Sequence, residues 1–222
     1  MRLGILSDAH GNLEGFTRCF NYLLNQQVDQ CIFLGDAIGY MPDGLLILDF
    51  LKSAGITCLM GNHEAMLLGF LPLSAANDAV YKLKQFCGKI TREQIKFISS
   101  WVPFYQTGTV ETKFLFVHGS PWNPANGYVY PDADFNPFAD LPFDIVVMGH
   151  THRPFVEQVG FKTIVNVGSC GLPRDKGNVL SCAIMETSTK EVRLITLPFD
   201  EDEVIQKYGK VVHPRVVECF KR

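Results

Sequence analysis

"RLGILSDAHGN", residues 2–12, decides the fold. Its first five residues are a short, nearly continuous apolar run, the pattern of a strand buried on both faces of a sheet, after which the chain turns polar and meets Gly11. Beyond it Leu13, Phe16, Phe20, Leu23 and Leu24 recur at helical spacing, with Asn12 placed as the N-cap. A second apolar run, "CIFL" at 31–34, is again followed by glycine and polar residues. Strand, helix and strand in that order make a β-α-β unit.

The unit repeats. Asp43 precedes the helical segment "GLLILDFLKSA", Gly55 falls where a left-handed C-terminal cap belongs, and a third strand is expected over 56–60. Helices are expected over 64–70, 75–87 and 92–100, the last with Thr91 and Gln94 at capping-box spacing. From residue 104 the pattern changes to short strands, at 104–109, 113–117, 144–148, 154–159, 163–167, 179–186 and 191–197, with turn signals such as "TSTKE" between them. A helix near 201–209 follows, and the tail from Val211 has no clear period. No repeat, low-complexity run or linker interrupts the pattern, so residues 1–222 read as one domain.

With 222 residues and 47% hydrophobic content, the chain can bury a substantial core without disulfides. A net charge of -3 argues against nucleic acid as a partner, because that affinity rests on clustered Lys and Arg. Seven cysteines without CxxC spacing read as reduced core thiols. The N-terminus turns polar after Leu6, too early for a secretory leader, and no apolar stretch nears the roughly 18 residues of a membrane span. A soluble, cytoplasmic protein without a membrane partner is expected. The connection from 121 to 144 carries six aromatics, four Asp and no Lys or Arg, and reads as a lid or binding loop, as an irregular segment packing on the core, or as both.

Five of the six histidines follow strands directly, in "SDAHG" (His10), "MGNHE" (His63), "VHGSP" (His118) and "GHTHRP" (His150 and His152), and Asp36 in "LGDAIGY" holds the same position after its own strand. Only His213 stands apart. In a mainly parallel sheet the carboxyl ends of strands share one edge, where ligands bind, so these segments can meet. Two carboxylates, an amide oxygen and several imidazoles, without thiolates, suit divalent Mn, Fe, Ni, Co or Zn. Asp8 with His10, and His150 with His152, are spaced i and i+2, which in extended backbone turns both side chains to one side as a pincer. The donors exceed one tetrahedral set, so two metals sharing a carboxylate, roughly 3.5 to 4 Å apart, is the economical arrangement.

Those five motifs, in that order, together with "NVGSCGLPRD" at 166–175, resemble the calcineurin-like metallophosphoesterases and their small prokaryotic phosphodiesterase branch. The resemblance spans residues 5 to about 176 and implies an α/β fold of two mixed β-sheets packed as a sandwich flanked by α-helices, in four α/β/β/α layers. It implies two divalent metal ions, Mn placed first: one held by Asp8, His10, Asp36 and His152, the other by Asp36, Asn62, His118 and His150. Asp36 would bridge them and act with His63 in catalysis, a metal-bridging hydroxide attacking phosphorus while Asn62 and His63 meet the substrate and His63 serves the leaving oxygen. Glu64 would start the next helix, where an acid suits the dipole, or orient an imidazole. Arg174 contacts phosphate or pairs with Asp175.

The implied activity is hydrolysis of phosphodiester bonds, with monoesters as a further possibility, in small substrates such as nucleotides. Tyr40, Trp122 and Tyr128 could stack on a base. The alternatives are a serine/threonine protein phosphatase, whose Arg before G-N-H-E is Met60 here, a dinucleoside polyphosphate hydrolase, and a non-enzymatic scaffold, which would be expected to have lost ligands that this chain keeps.

Overall fold

The computed structural model describes residues 1–110 and 112–222. Strand β1 (Arg2–Leu6), helix α1 (Leu13–Asn25) and β2 (Gln30–Phe33) form the first β-α-β unit, and α2 (Gly44–Ser53) leads to β3 (Thr57–Cys58). Helices α3 (Asn62–Leu67), α4 (Ala75–Tyr81) and α5 (Arg92–Ser99) follow. Then come β4 (Phe104–Gly108), β5 (Lys113–Val117), β6 (Ile145–Met148), β7 (Phe155–Val159), β8 (Lys162–Asn166), β9 (Val179–Glu186) and β10 (Glu191–Pro198). Helices α6 (Glu201–Tyr208) and α7 (Pro214–Phe220) close the chain.

Among the described residues the strands make two mixed five-stranded sheets, ordered β10-β9-β1-β2-β3 and β4-β5-β6-β8-β7. β1, β2 and β3 run parallel in the first, as do β5, β6 and β8 in the second. This is the expected sandwich. Leu3 and Ile5 of β1 point between the sheets with Ile32, Phe114, Phe116, Val147 and Val165. Leu6 and Phe33 face the helical layer, where Phe16, Leu23, Ile47 and Leu51 meet them. Burial on both faces explains the unbroken apolar runs. Gly4 lies where α1 presses on β1: a Cβ there would stand 3.0 Å from Leu23 Cδ1 and 3.2 Å from Val28 Cγ2.

The outer face of the second sheet is covered by the 121–144 segment. Val129 and Phe138 are buried there against Leu115, Val117, Val146, Met148 and Ile164, joined by Phe135 and Phe143. A 3-10 turn, Asn136–Asp140, sets Phe138 inward. Trp122 packs edge-on against Phe138, so it braces the segment and does not line the site.

Local expectations fare unevenly, each for a physical reason. Asn12 caps α1 by accepting from the Gly15 N–H at 3.0 Å, and the Thr91–Gln94 capping box is formed. Asp43 makes no cap; its carboxylate accepts from Lys207 Nζ at 3.2 Å and from the Tyr208 hydroxyl, tying the start of α2 to α6. The third strand stops at Cys58, and the Met60 N–H donates to the Val102 carbonyl instead. The helix expected over 75–87 breaks at Lys82, which is left-handed at φ 57°, and resumes as a 3-10 turn, Leu83–Phe86. The unperiodic tail contains α7, with His213 Nδ1 accepting from the Arg215 N–H and Pro214 in the first turn. All seven cysteines are free and five are buried; Cys87 is exposed and Cys219 half-buried. Among the described residues no helix is long and apolar enough to cross a membrane.

Candidate metal centre

The loops after β1, β2 and β3 deliver Asp8 and His10, Asp36, and Asn62 with His63; those after β5 and β6 deliver His118, and His150 with His152. The carboxyl ends that converge therefore belong to the parallel strands of two sheets, not to one edge of a single sheet. The backbone differs from expectation too. Asp8 (φ 57°), His10 (48°), Asp36 (62°), His150 (66°) and His152 (58°) are left-handed, so extended-strand pincers do not form. Asp8 and His10 still meet, with His10 Nε2 3.5 Å from Asp8 Oδ1, whereas His150 and His152 part into different groups.

In the first group, His10 Nε2 and His152 Nε2 are 3.0 Å apart, and His152 Nε2 lies 3.2 Å from Asp8 Oδ1. In the second, His118 Nε2 is 3.1 Å from both His150 Nδ1 and Asn62 Oδ1. Asp36 Oδ2 stands between them, 3.6 Å from His10 Nε2 and 3.5 Å from His118 Nε2. Each carboxylate spends its other oxygen on structure. Asp36 Oδ1 accepts the His63 N–H at 2.9 Å, and Asp8 Oδ2 accepts from the Ser7 hydroxyl at 2.6 Å and the His150 N–H at 2.8 Å.

The tautomers follow from the remaining nitrogens. His10 Nδ1 faces the Ile38 carbonyl, His118 Nδ1 that of Leu34, and His152 Nδ1 that of Leu172. A carbonyl only accepts, so each Nδ1 carries the hydrogen, and each ring in its neutral form points an Nε2 lone pair into the cluster. The His10 and His152 lone pairs, held 3.0 Å apart, repel unless a positive centre lies between them. Asp8 Oδ1, buried and without a hydrogen bond, faces the same place. These residues fit divalent cations bound through nitrogen and oxygen.

None of these groups is more than 5% exposed, so water does not neutralise them. Burial works to raise the Asp8 carboxyl, but the His152 and His118 imidazoles hold it well below its ordinary range. Asp36 is lowered in the same way, burial being outweighed by His118 and His63. Burial pushes His150 down to about 3 and His152 down to about 4, with His118 and Arg174 adding to the respective effects. Against burial, Asp36 and Asp8 lift His118 to about 9. Ionised carboxylates beside the neutral His150 and His152 imidazoles suit a cation, and the same carboxylates that lift His118 would favour a metal ion in place of its proton.

Several supporting residues carried no decisive sequence signal. Glu64 neither orients an imidazole nor serves only as a first-turn acid: Oε2 accepts the Asp36 N–H at 2.9 Å, and Oε1 accepts those of Ala37 and Ile38 at 2.9 and 3.2 Å. It pins the loop that carries Asp36. Gly61 is fitted to the same spot, since a Cβ there would fall 2.1 Å from Asp36 Oδ1. Ser169 Oγ donates to the Asp8 carbonyl at 2.7 Å, and Asn166 Nδ2 donates to the Gly149 carbonyl at 2.6 Å. The His63 ring is wedged between Tyr40 and Tyr81, at centroid distances of 5.0 and 4.7 Å, and Tyr128 lies 4.2 Å from the His150 ring. Arg174 donates to the Tyr40 hydroxyl at 2.8 Å and lines the site; it does not pair with Asp175. His213 has no part in the centre.

Residues 1–190 match the model of the calcineurin-like phosphoesterase superfamily domain. An uncharacterized protein of Methanocaldococcus jannaschii is 26% identical, covering 97% of this chain and 94% of its own length. A phosphodiesterase of the same organism is 24% identical, covering 89% and 99%. The crystal structure of a metallophosphoesterase from Sphaerobacter thermophilus superposes with a TM-score of 0.82 at 21% identity, over 100% of this chain and 99% of that one. Because the matched region takes in every residue of the centre and leaves out only the last strand and two short helices, the chain belongs to the calcineurin-like phosphoesterase superfamily.

Proposed function

We propose that the protein, acting as one domain over residues 1–222, is a metal-dependent phosphoesterase that hydrolyses phosphodiester bonds of small substrates such as nucleotides. The observation that carries this reading is the meeting of two donor groups at Asp36 Oδ2: His10 and His152 with Asp8 Oδ1 on one side, His118 and His150 with Asn62 Oδ1 on the other, His10 and His118 standing 3.6 and 3.5 Å from the shared oxygen. Asp8, His10, Asp36 and His152 would hold one divalent cation and Asp36, Asn62, His118 and His150 the other, with manganese the first to test. When bound, such ions lower the pKa of water and neutralise phosphate charge.

The chain's own residues do the rest. Asp36 fixes the spacing of the two groups, since its one free oxygen serves both. The left-handed loops and the Glu64 contacts preset the donors, so little reorganisation accompanies binding. His63 Nε2 lies 3.9 Å from Asp36 Oδ2, and its buried Nδ1 has no hydrogen bond. Burial holds its pKa well below the usual value, so the ring rests neutral and offers one N–H to a leaving oxygen. Asn62, beside it at the start of α3, would meet substrate as well as metal. The buried thiols, free of disulfides, agree with a cytoplasmic setting.

The test is hydrolysis of bis(p-nitrophenyl) phosphate after chelation and reconstitution with Mn, Ni, Co, Fe or Zn, with metal analysis on the same sample. Turnover with about two equivalents of metal is expected. Failure with every ion defeats the reading.

A further inference from the structure

The reacting space at the metal centre is about 20 Å³, of the order of one water molecule. Whatever lies beyond the scissile group must sit elsewhere. A cavity of about 500 Å³ adjoins it and shares Tyr40, Tyr81 and Arg174 with its wall. That volume is in the range of small-molecule sites.

Arg153, Arg174, Arg215 and Arg222 all line this cavity. The Lys and Arg ion pairs among the described residues are Arg2–Glu186, Lys190–Asp144 and Lys207–Asp43. Among the described residues none of the four cavity guanidinium groups is in an ion pair with a carboxylate, although Glu218 stands on the wall and the chain as a whole is acidic. Their contacts orient them without quenching charge. Arg174 donates to the Tyr40 hydroxyl, Arg153 stands over the Tyr130 ring at 5.9 Å, and Arg222 Nη1 donates to the Arg174 carbonyl at 3.1 Å. Arg215 and Arg222 come from the C-terminal segment, beyond the family-matched residues 1–190. Planar forks of this kind bind phosphate oxygens in pairs.

We propose that this cavity is an anion subsite for a second phosphoryl group of the substrate, one phosphate lying at the metal centre and another among Arg153, Arg174, Arg215 and Arg222. The substrate class is then a polyphosphorylated, nucleotide-sized ester, with the C-terminal helix supplying its specificity. This rests on the phosphoesterase reading above.

The test uses the manganese-loaded protein and the double variant Arg215→Gln/Arg222→Gln, both exposed positions in the C-terminal segment, outside the stretches that carry the metal-ligand candidates. Three quantities are measured: kcat/KM for bis(p-nitrophenyl) phosphate, which has no second phosphate; KM for diadenosine tetraphosphate; and calorimetric binding of the β,γ-methylene analogue of ATP. Loss of two charge-assisted contacts should raise that KM and weaken analogue binding by about tenfold or more, with bis(p-nitrophenyl) phosphate changed by less than about twofold. Equal losses on both esters, or unchanged analogue affinity, would overturn the subsite. A wild-type protein that hydrolyses neither ester would sink the phosphoesterase reading, and the binding measurement would still decide the cavity.

Discussion

Replacement of Glu64 by glutamine separates two roles that the position of this residue allows. Its carboxylate accepts three backbone N–H groups, from Asp36 on one oxygen and from Ala37 and Ile38 on the other. Glutamine keeps the shape but has a single acceptor oxygen, so its amide N–H₂ must face at least one of those donors. A buried hydrogen bond to a charged group contributes about 1.5 to 3 kcal/mol, and the abandoned N–H adds its own desolvation cost. Working the other way, burial and the nearby Asp36 raise the Glu64 carboxyl to about 8, so the neutral amide recovers part of the loss. The net destabilisation expected is roughly 2 to 3 kcal/mol, a fall of about 4 to 12 °C in Tm for a domain of this size. Because the loop so held carries Asp36, manganese affinity should drop by about 10- to 100-fold for both ions together. Calorimetric melting under chelation gives the first quantity and titration with manganese the second. If Glu64 served only the dipole of α3, its removal would cost about 0.3 to 1 kcal/mol and leave metal affinity alone. That result would refute the reasoning.

Asp36→Asn retains an acceptor for the His63 N–H but removes the charge that both groups share, so elemental analysis should find neither ion at full occupancy. His63→Ala should keep both metals and lower kcat by on the order of 10² to 10⁴, read with bis(p-nitrophenyl) phosphate; loss of a metal would make His63 a ligand, since its nitrogen also neighbours His10 and Asp36. Phe138→Ala should cost about 3 to 5 kcal/mol in denaturant melts, because this ring, 1% exposed, anchors the 121–144 segment to the second sheet.

The metal-ligand candidates were legible because their chemistry is carried by residue type and order: an imidazole or carboxylate straight after each apolar run leaves few places for the set to gather. Sheet partnership was not, since the run at 113–117 looks the same whether it joins β1 or forms a second sheet, and only long-range pairing decides. The break at Lys82 has no glycine or proline to announce it. Glu64 shows a different limit. A first-turn acid and a loop anchor look alike in sequence, and the distinction lies in three N–H groups 26 to 28 positions earlier. The tail helix did carry a signal, His213 before Pro214, but a single turn of apolar spacing is too short to register as a period.

The left-handed backbone at Asp8, His10, Asp36, His150 and His152 has a bearing on descent as well as on chemistry. Asp, His and Asn tolerate that conformation better than other side chains, and glycine tolerates it freely. A valine or leucine at any of the five would compound the missing ligand with about 1 to 3 kcal/mol of strain. Asparagine or glycine would silence the chemistry while sparing the scaffold. A lineage that abandoned hydrolysis should therefore record the change as Asn or Gly at these five positions, before its core shows any trace of it.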